Sequence, residues 1–295
     1  MTDTPHRFRV PDEQFEDIID RYCNDLTRKV KAGRTNPIIG RDQEIDQIIT
    51  ILLQMGRSNV VLLGGAGVGK TAVFLGLARA LALQPVPKQL ENARVIEVDF
   101  AAMAAGTESR GEFEGRIIPL IKGSAERNAI KGYPPVILCM DEIHTTMRAS
   151  QASSASGVAD VMKPYLTEGN LRVVGATTEL EYVDYMKKDP AIERRFQKIH
   201  LREPDLDETI KVLQGLRPIY ERHFDIRISD AAIEKIVRLT HRYIRNRNNP
   251  DKSLMALDAA CAHCVRAGAP QGELDSNSIV HTIGAEVDLP PNAIE

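Results

Sequence analysis

The stretch of sequence that decides the fold reads Val60-Val-Leu-Leu-Gly-Gly-Ala-Gly-Val-Gly-Lys-Thr71. Its apolar first part, Val60–Leu63, has the length and composition of a buried strand, and helical periodicity follows from Thr71 to Leu83. Between them, Gly64–Thr71 fits the pattern G-x-x-x-x-G-K-[ST], which in this strand-to-helix setting predicts a loop that binds phosphate. A glycine-rich turn without a ligand is the alternative, and the Lys-Thr pair at the required place argues against it.

The residue types of this loop indicate its chemistry. Glycines let backbone N–H groups converge on phosphate oxygens, and the positive end of the following helix faces the same charge. Lys70 is expected to reach the β and γ phosphates, and the hydroxyl of Thr71 to bind Mg²⁺. The predicted phosphate-binding residues are Gly64, Gly65, Ala66, Gly67, Val68, Gly69, Lys70 and Thr71.

Two carboxylates follow a second apolar run. Val136–Met140 predicts a central strand, and Asp141 and Glu142 come directly after it, at the edge where α/β sheets bind ligands. Asp141 is expected to hold Mg²⁺, and Glu142 to act as the general base for an attacking water. The alternative, that both acids cap the next helix, would be preferred only without the phosphate loop. The two motifs together predict an ATPase that uses ATP and Mg²⁺.

Strands and helical segments alternate along the first two thirds of the chain. This alternation predicts an α/β P-loop NTPase fold, in which helices cover both faces of a parallel sheet. The predicted strands are Val60–Leu63, Val95–Asp99, Val136–Met140 and Leu171–Ala176, and the helices between them are Thr71–Leu83, Gly111–Asn128 and Val158–Glu168.

The pattern becomes helical throughout after Pro204, which predicts an all-helical second domain. Its predicted helices are Leu206–His223, Asp230–Ile244 and Lys252–Ala267, with a short element near Ser276–Gly284. Upstream of the α/β part, apolar residues recur at helical spacing over 11–32 and predict one leader helix. The predicted division is a leader at 1–35, a large α/β domain at 36–204, a helical lid at 205–285 and a tail at 286–295.

Charge and composition narrow the class of partner. The 41 acidic and 38 basic residues give a formal net charge of −3, which favours neither nucleic acid nor an anionic membrane. The basic stretch Arg28–Arg34 and the arginines Arg238, Arg242, Arg245 and Arg247 leave a nucleic-acid motor as a minor alternative. Because no apolar run is long enough to span a membrane and the first ten residues lack the core of a secretory signal, we expect a cytoplasmic protein.

One cysteine pair raises the question of a metal. Cys261-Ala-His-Cys264 has C-x-x-C spacing, but no second pair accompanies it and it falls within a helical pattern. A lone C-x-x-C is weak support for zinc. We therefore favour a packing role for both thiols.

Eight segments of this chain, in their order and spacing, resemble one family closely: the first nucleotide-binding module of the Clp-type AAA+ ATPases, the ClpA, ClpB and ClpC group of protein unfoldases and disaggregases. The resemblance runs from about Leu26 to about Ala260. The matching segments are Asn36–Asp42, the phosphate loop, Arg110–Glu114, Met140–Thr145, Val174–Thr178, Ile192–Gln197, His241–Ile244 and Pro250–Lys252. The resemblance implies an AAA+ module with a helical lid over the base, assembled as a homo-oligomeric ring, usually a hexamer, with ATP at each subunit boundary.

Further site residues are implied only by this resemblance. Thr178 matches the sensor that contacts the γ phosphate or the attacking water, with a strand-end cap as the alternative. Arg194 and Arg195 match arginine fingers that reach a neighbour's site, and the alternative is a surface ion pair beside Glu193. The residues expected near the adenine are Ile38, Ile39 and Gly40, and the lid residues expected beside the nucleotide are Pro250 and Lys252.

The chain departs from the family at the central-pore loop. The family typically has Gly-Ala-Lys-Tyr-Arg-Gly, whereas this chain has Gly106-Thr-Glu-Ser-Arg-Gly111. Ser109 cannot pack on a peptide as an aromatic ring does, and Glu108 replaces a basic residue, so threading of a substrate is in doubt. We also expect a single-module subunit, without an adaptor domain or a second ATPase module.

Two classes of function follow from these features. The first is a ring ATPase that remodels or disassembles a specific protein partner or complex. The alternative is an ATP-dependent assembly or scaffold component of a larger machine, such as a secretion or transport apparatus. In either case, docking of the ring to a membrane complex stays open.

Overall fold

The computed structural model describes residues 8–107, 110–146, 158–268 and 272–294. Within them the chain divides into two compact units. The first contains residues 8–35, Asp42–Leu63 and Lys70–His200, and the second contains Asn36–Arg41, Gly64–Gly69 and the residues from Leu201 onward. The domain limits predicted from the sequence remain predictions. Glu108 and Ser109 of the predicted pore loop lie outside the described residues.

The first unit is built from six strands and nine α-helices in its described part. The strands are β1 (Cys23–Asp25), β2 (Asn59–Leu63), β3 (Arg94–Val98), β4 (Val136–Met140), β5 (Arg172–Thr177) and β6 (Phe196–His200). The helices are α1 (Asp12–Tyr22), α2 (Leu26–Lys31), α3 (Asp42–Leu52), α4 (Lys70–Leu83), α5 (Phe100–Ala104), α6 (Arg110–Asn128), α7 (Val158–Glu168), α8 (Glu179–Glu181) and α9 (Pro190–Glu193).

All six strands form one sheet in the order β1-β3-β4-β5-β2-β6. Only β1 runs antiparallel, and the other pairings are parallel. Every residue of β2 and β4 is buried, as expected for central strands covered on both faces. The carboxyl ends of β4 and β5 therefore meet at one edge of the sheet. The predicted α/β fold class is confirmed.

The prediction of one leader helix over residues 11–32 was wrong. Helix α1 ends at Tyr22, the three residues of β1 pair with β3, and α2 begins at Leu26. The pairing places Cys23 opposite Val98, and Asp25 caps α2 by accepting a hydrogen bond from the N–H of Arg28. The helical spacing of apolar residues continues across the break, so periodicity alone could not reveal β1.

Helix α1 is fixed to the first unit through a buried arginine on α6. The guanidinium of Arg127 lies between the rings of Phe8 and Phe15, 4.3 and 3.9 Å from their centroids, and pairs with the carboxylate of Asp12. Burial of a charge is costly unless it is paired and hydrogen-bonded, and Gly123 O accepts a further bond from Arg127. The N-terminal segment is thus part of the first unit.

The second unit contains four longer helices in its described part: α10 (Leu206–Phe224), α11 (Asp230–Tyr243), α12 (Asp251–Arg266) and α13 (Ser276–Glu286). Side chains of Asp205, Ser229 and Asp275 cap three of them by accepting backbone N–H bonds. The apolar faces of the helices form one core, which includes Leu213, Ile233, Leu257 and Ile279. The predicted helical lid is confirmed.

Both cysteines of the C-x-x-C pair are buried, reduced side chains on α12. Burial raises the pKa of Cys261 to about 12, and the thiol of Cys264 donates to the carbonyl of Glu273 at 3.3 Å. Neither thiol belongs to a metal-ligating cluster of the described residues. These observations agree with a packing role.

No helix in the described part of the chain combines the length and the apolar character that a membrane span requires.

Candidate functional site

The phosphate loop, Gly64–Gly69, lies in the second unit, and its backbone at Gly67 is one that only glycine adopts without strain. Gly67 has φ +79°, and a Cβ there would come 2.8 Å from the Cβ of Asp251. A Cβ on Gly65 would lie 2.6 Å from the Nδ2 of Asn248. Real Cβ atoms do not approach other atoms so closely, and left-handed φ values strain every residue but glycine. The sequence pattern is therefore matched by a steric requirement.

Two side chains remote in sequence hold carbonyl groups of this loop. Asn248 Nδ2 donates to Ala66 O at 2.9 Å, and Arg41 Nη2 donates to Val68 O at 2.6 Å. Arg41 also donates to Arg202 O at 3.2 Å and is buried. No role could be predicted for Arg41 or Asn248, because the pattern of the loop carries no information about residues distant from it in sequence.

The lid residues predicted to lie beside the nucleotide have structural partners within the second unit. Pro250 immediately precedes α12. Lys252 is buried, and its ammonium donates to Ile244 O at 3.0 Å and lies 3.6 Å from the Oε1 of Glu203. The same Glu203 oxygen accepts the backbone N–H of Asn249 at 2.7 Å. These contacts fix the segment 249–252 that follows Asn248.

The predicted adenine residues belong to the second unit as well. Ile38 and Ile39 are half-buried. Ile39 packs directly on the backbone of α10, because a Cβ on Gly215 would lie 2.1 Å from its Cδ1. Gly215 thus makes room for the side chain of Ile39.

In the first unit, α4 begins with Lys70 and Thr71, the last two residues of the phosphate motif. The hydroxyl of Thr71 donates to Asp141 Oδ2 at 2.7 Å. A hydroxyl and a carboxylate are hard oxygen ligands of the kind that Mg²⁺ prefers. The two predicted metal ligands therefore lie together, and their chemistry fits the ion.

Glu142 follows Asp141 in a left-handed conformation with φ +49°, which costs a non-glycine residue roughly 1–2 kcal/mol. Its N–H donates to Asp141 Oδ1 at 3.0 Å. Such strained residues cluster at functional sites, where the surrounding structure holds them. Its carboxylate is about half exposed, as a base that meets solvent or ligand must be.

A cleft of about 310 Å³ opens beside the two acids, at the carboxyl ends of β3 and β4. Its lining is acidic and includes Glu97 and Asp99 as well as Asp141 and Glu142. Burial raises the pKa of Glu97, the charges of Asp141 and Asp99 add to this effect, and Asn24 and Lys29 oppose it. The cleft thus concentrates negative charge next to the predicted Mg²⁺ ligands.

Thr178, the predicted sensor, follows β5 and caps α8. Its hydroxyl accepts the N–H of Glu181 at 3.3 Å, and Glu181 Oε2 accepts the backbone N–H of Thr178 at 3.1 Å. The hydroxyls of Thr178 and Thr177 also lie 2.8 and 3.0 Å from that oxygen. The alternative role, a strand-end cap, is therefore present, and it does not conflict with a second role toward a ligand.

The arginines predicted to act on a neighbouring subunit lie between α9 and β6. Within the described residues, neither Arg194 nor Arg195 has a side-chain hydrogen bond or ion pair. Glu193 pairs instead with Lys198 at 3.8 Å, so the alternative of an ion pair with Glu193 is not realised. Arg194 is exposed and lines a second cleft together with Arg57 and Phe196.

Profiles of known families match most of the chain. The family described as "ATPase family associated with various cellular activities (AAA)" matches residues 60–203, and the "AAA lid domain" matches residues 205–281. Among curated proteins, the chain is 43% identical over 250 residues to the chaperone protein ClpB of Aquifex aeolicus (strain VF5), and 39% identical over 278 residues to ClpB of Propionibacterium freudenreichii. These alignments cover 85% and 94% of this chain but 24% and 31% of the relatives, so the chain spans a third of their length or less.

Solved structures give the same result for the fold. A closed-state reconstruction of Hsp104 with ATPγS and FITC-casein aligns with a TM-score of 0.81 at 36% identity, over 92% of this chain and 46% of that one. The Saccharomyces cerevisiae Hsp104-ADP complex aligns with a TM-score of 0.82 at 35% identity, over 94% and 46%. The chain is thus similar to these proteins over nearly its whole length.

Proposed function

The chain belongs to the AAA ATPases, and within them to the Clp-type AAA+ proteins, and from that membership we propose that it remodels or disassembles a protein partner as one subunit of an ATP-driven ring. ATP hydrolysis is the activity of this family. A cytoplasmic location stays a prediction from the sequence.

One observation carries the proposal: the hydroxyl of Thr71 and the carboxylate of Asp141 share a hydrogen bond of 2.7 Å, with Glu142 next in the chain. Thr71 and Asp141 would hold Mg²⁺. When bound, the ion neutralises phosphate charge and orients the triphosphate. This pairing joins the end of the phosphate motif to the end of the central strand, and it supports hydrolysis at this edge of the sheet.

The residues of this chain divide the chemical work. Lys70 and the backbone N–H groups of Gly64–Gly69 bind the phosphates. Glu142 orients the attacking water and takes its proton, so that a hydroxide equivalent bonds to the γ phosphorus while the bond from that phosphorus to the β–γ bridging oxygen breaks and ADP leaves. Thr178 contacts the γ phosphate or the water. Arg194 and Arg195 stabilise charge in the transition state of a neighbouring subunit.

The relatives support the proposal of a ring and a protein partner. The solved Hsp104 structure that aligns with this chain is a complex with casein, a polypeptide. The guanidinium groups of Arg194 and Arg195 have no hydrogen-bond or ion-pair partner among the described residues. They are therefore available to contact the phosphates of ATP bound to a neighbouring subunit. We infer a homo-oligomer, hexameric as in the family, that acts on protein.

The alternative of a nucleic-acid motor has little support from the basic side chains. Arg28 lies 2.8 Å from Asp20, Arg247 lies 3.1 Å from Glu286, and Arg238 pairs with Glu234 on its own helix. Phosphate contacts require basic groups that are not already neutralised. We therefore give preference to a protein partner.

The test is capture of the partner with Glu142→Gln held in ATP. This variant should bind ATP, hydrolyse it very slowly and retain the partner, whereas the matched variant Lys70→Ala should retain nothing. The captured partner is then added back to the wild-type ring in ATP or in ATPγS. Release in ATP but not in ATPγS supports remodelling.

The same experiment separates the second candidate, an assembly or scaffold component for which ATP binding suffices. Equal function of the partner complex with wild type and with Glu142→Gln would support the scaffold and reject remodelling. The altered pore loop favours neither candidate on its own, because a ring can change a partner without threading it.

A further inference from the structure

His144 lies two residues beyond Glu142 and is the buried member of a polar group that the ATPase chemistry above does not use. Its Nδ1 atom lies 3.0 Å from Thr177 Oγ1, 3.3 Å from Glu181 Oε2 and 3.4 Å from Glu142 Oε2. Its ring stacks on Tyr185, with centroids 5.8 Å apart. The Nδ1 atom of His144 therefore lies close to the carboxylate of Glu142, the predicted base, and to that of Glu181 in the cap of α8.

The protons of this group can be assigned from its hydrogen bonds. The hydroxyl of Thr177 is 3.0 Å from the carboxylate of Glu181, which can only accept when ionised, so Thr177 donates its proton to Glu181. The oxygen of Thr177 then accepts a hydrogen bond, and the N–H at Nδ1 of His144 donates it. Burial works to raise the pKa of Glu181, but the bonds from Thr178 and Thr177 and the nearby His144 hold it below its ordinary value.

A metal ion is a poorer explanation of the same atoms. Glu142, His144 and Glu181 bring three ligand atoms within 4.8 Å of one another. However, Glu181 Oε2 already accepts the backbone N–H and hydroxyl of Thr178 as well as the hydroxyl of Thr177. An ion would have to displace these donors from that oxygen. The group is a hydrogen-bonded network.

We propose that His144 is a positioning residue, which orients the carboxylate of Glu142 and ties it to the cap at Thr178. The inference rests on the proposed role of Glu142 as general base. The path from the cap runs through Glu181 and Thr177 to the single N–H of His144. Because this N–H donates to Thr177 and lies within 3.4 Å of both carboxylates, a change in what Thr178 contacts alters its attraction to Glu142.

Two substitutions separate the donor of His144 from its ring. His144→Phe keeps an aromatic ring against Tyr185 and removes the N–H. His144→Asn loses the ring and keeps a donor at the position of Nδ1. We expect kcat for ATP to fall about tenfold or more in His144→Phe with KM nearly unchanged, because groups that orient a catalytic side chain have effects of this size. His144→Asn should retain most of the wild-type kcat.

A double-mutant cycle tests the path to the cap. Glu181→Gln should lower kcat in the wild-type background and have no further effect in His144→Phe, because residues of one network are not additive. Binding of a fluorescent ATP analogue to each variant checks that the fold is intact. Additive effects of the two substitutions would overturn the link to the cap.

The outcomes distinguish this inference from the proposed function. If wild type hydrolyses ATP and Glu142→Gln abolishes hydrolysis, but His144→Phe leaves kcat within about twofold, the positioning role is overturned and the function stands. Equal losses in His144→Phe and His144→Asn would also overturn it, because they indicate ring packing. If the protein shows no ATP hydrolysis that depends on Glu142, both the positioning role of His144 and the proposed function are overturned.

Discussion

At the scale of single residues, Gly67 combines two constraints that can be separated by experiment. Gly67 and Gly40 share a φ of +79°, but only Gly67 has a close neighbour, since nothing lies within 4 Å of a Cβ built on Gly40. Gly40→Ala should cost about 1–2 kcal/mol of unfolding free energy from backbone strain alone. Gly67→Ala should cost a further ~1–3 kcal/mol because its Cβ would overlap Asp251.

A further control separates stability from function, because Gly132 has a left-handed φ of +86°, nothing within 4 Å of a built Cβ and no predicted role in the site. Nucleotide affinity, measured by titration with a fluorescent ATP analogue, should fall in Gly67→Ala and stay near wild type in Gly132→Ala. Equal affinities in the two variants would mean that the conformation of Gly67 is unrelated to nucleotide binding.

The residues of the site were predictable to different degrees. The phosphate motif and the acidic pair could be identified because each is contiguous, so that strand, turn and helix patterns frame it locally. The partners of the loop could not, because Arg41 and Asn248 contact it only after the chain has folded. The network around His144 was missed for the same reason, as its members come from two separate strand ends.

At the scale of elements, the missed strands were the two at the edges of the sheet. Strand β6 has two buried residues, Phe196 and Ile199, among three more exposed polar residues, and β1 has only three residues. Edge strands are often short and polar, since this protects them from pairing with other chains, and such sequences lack the apolar run that marks a central strand. The central strands β2 and β4 were evident because both of their faces are buried.

The antiparallel edge strand depends on a cluster of charges around Arg94. Arg94 donates to Glu16 at 2.6 Å and to Asp25 at 3.0 Å, and the carboxylate of Asp25 is only 8% exposed. Burial tends to lower the pKa of Arg94, but its bonds to both acids outweigh this and raise the pKa above its ordinary value. Removal of the guanidinium would leave a nearly buried carboxylate without its closest charged partner.

Arg94→Ala should therefore lower the free energy of unfolding by about 1–3 kcal/mol, as expected for lost hydrogen bonds to charged groups. Arg28 is the matched control, because it faces the same acids but is 54% exposed. Arg28→Ala should cost less than about 1 kcal/mol. Urea denaturation of both variants provides the comparison, and similar losses would show that burial does not decide the strength of this cluster.

At the scale of the whole molecule, the family was predictable because eight motifs in one order rarely occur by chance. The AAA family model matches residues 60–203 and the AAA lid model matches residues 205–281, which confirms the family. What could not be predicted is the partner, since recognition of a client depends on surfaces that carry no common motif. Two further predictions concern the proposed ring.

The first concerns the arginines. If Arg194 acts on the neighbouring subunit, Arg194→Ala and Glu142→Gln should each be inactive alone and regain activity when mixed. In an equal, random mixture about a quarter of the boundaries join an intact Glu142 to an intact Arg194, so about a quarter of the wild-type rate is expected. Phosphate release from the mixture measures this, and a mixture as inactive as its components would place Arg194 outside the neighbour's site.

The second concerns the pore loop of the sequence, where Ser109 stands in place of the family's tyrosine. Ser109→Tyr should bind FITC-casein about two- to tenfold more tightly than wild type, because an aromatic ring adds apolar contact with any peptide. Ser109→Ala is the control and should bind as wild type does. Fluorescence anisotropy in ATPγS gives the affinities, and unchanged binding by Ser109→Tyr would indicate that residue 109 does not meet the polypeptide.

The most direct measurement of the central claim compares ATP binding and phosphate release in wild type, Lys70→Ala and Glu142→Gln. The account predicts that wild type binds and hydrolyses ATP in the presence of Mg²⁺, and that Lys70→Ala loses binding. Glu142→Gln should bind as wild type does while its turnover falls by about 100-fold or more, the effect of removing a general base. Undiminished turnover in Glu142→Gln, or wild-type protein that neither binds nor hydrolyses ATP, would contradict it.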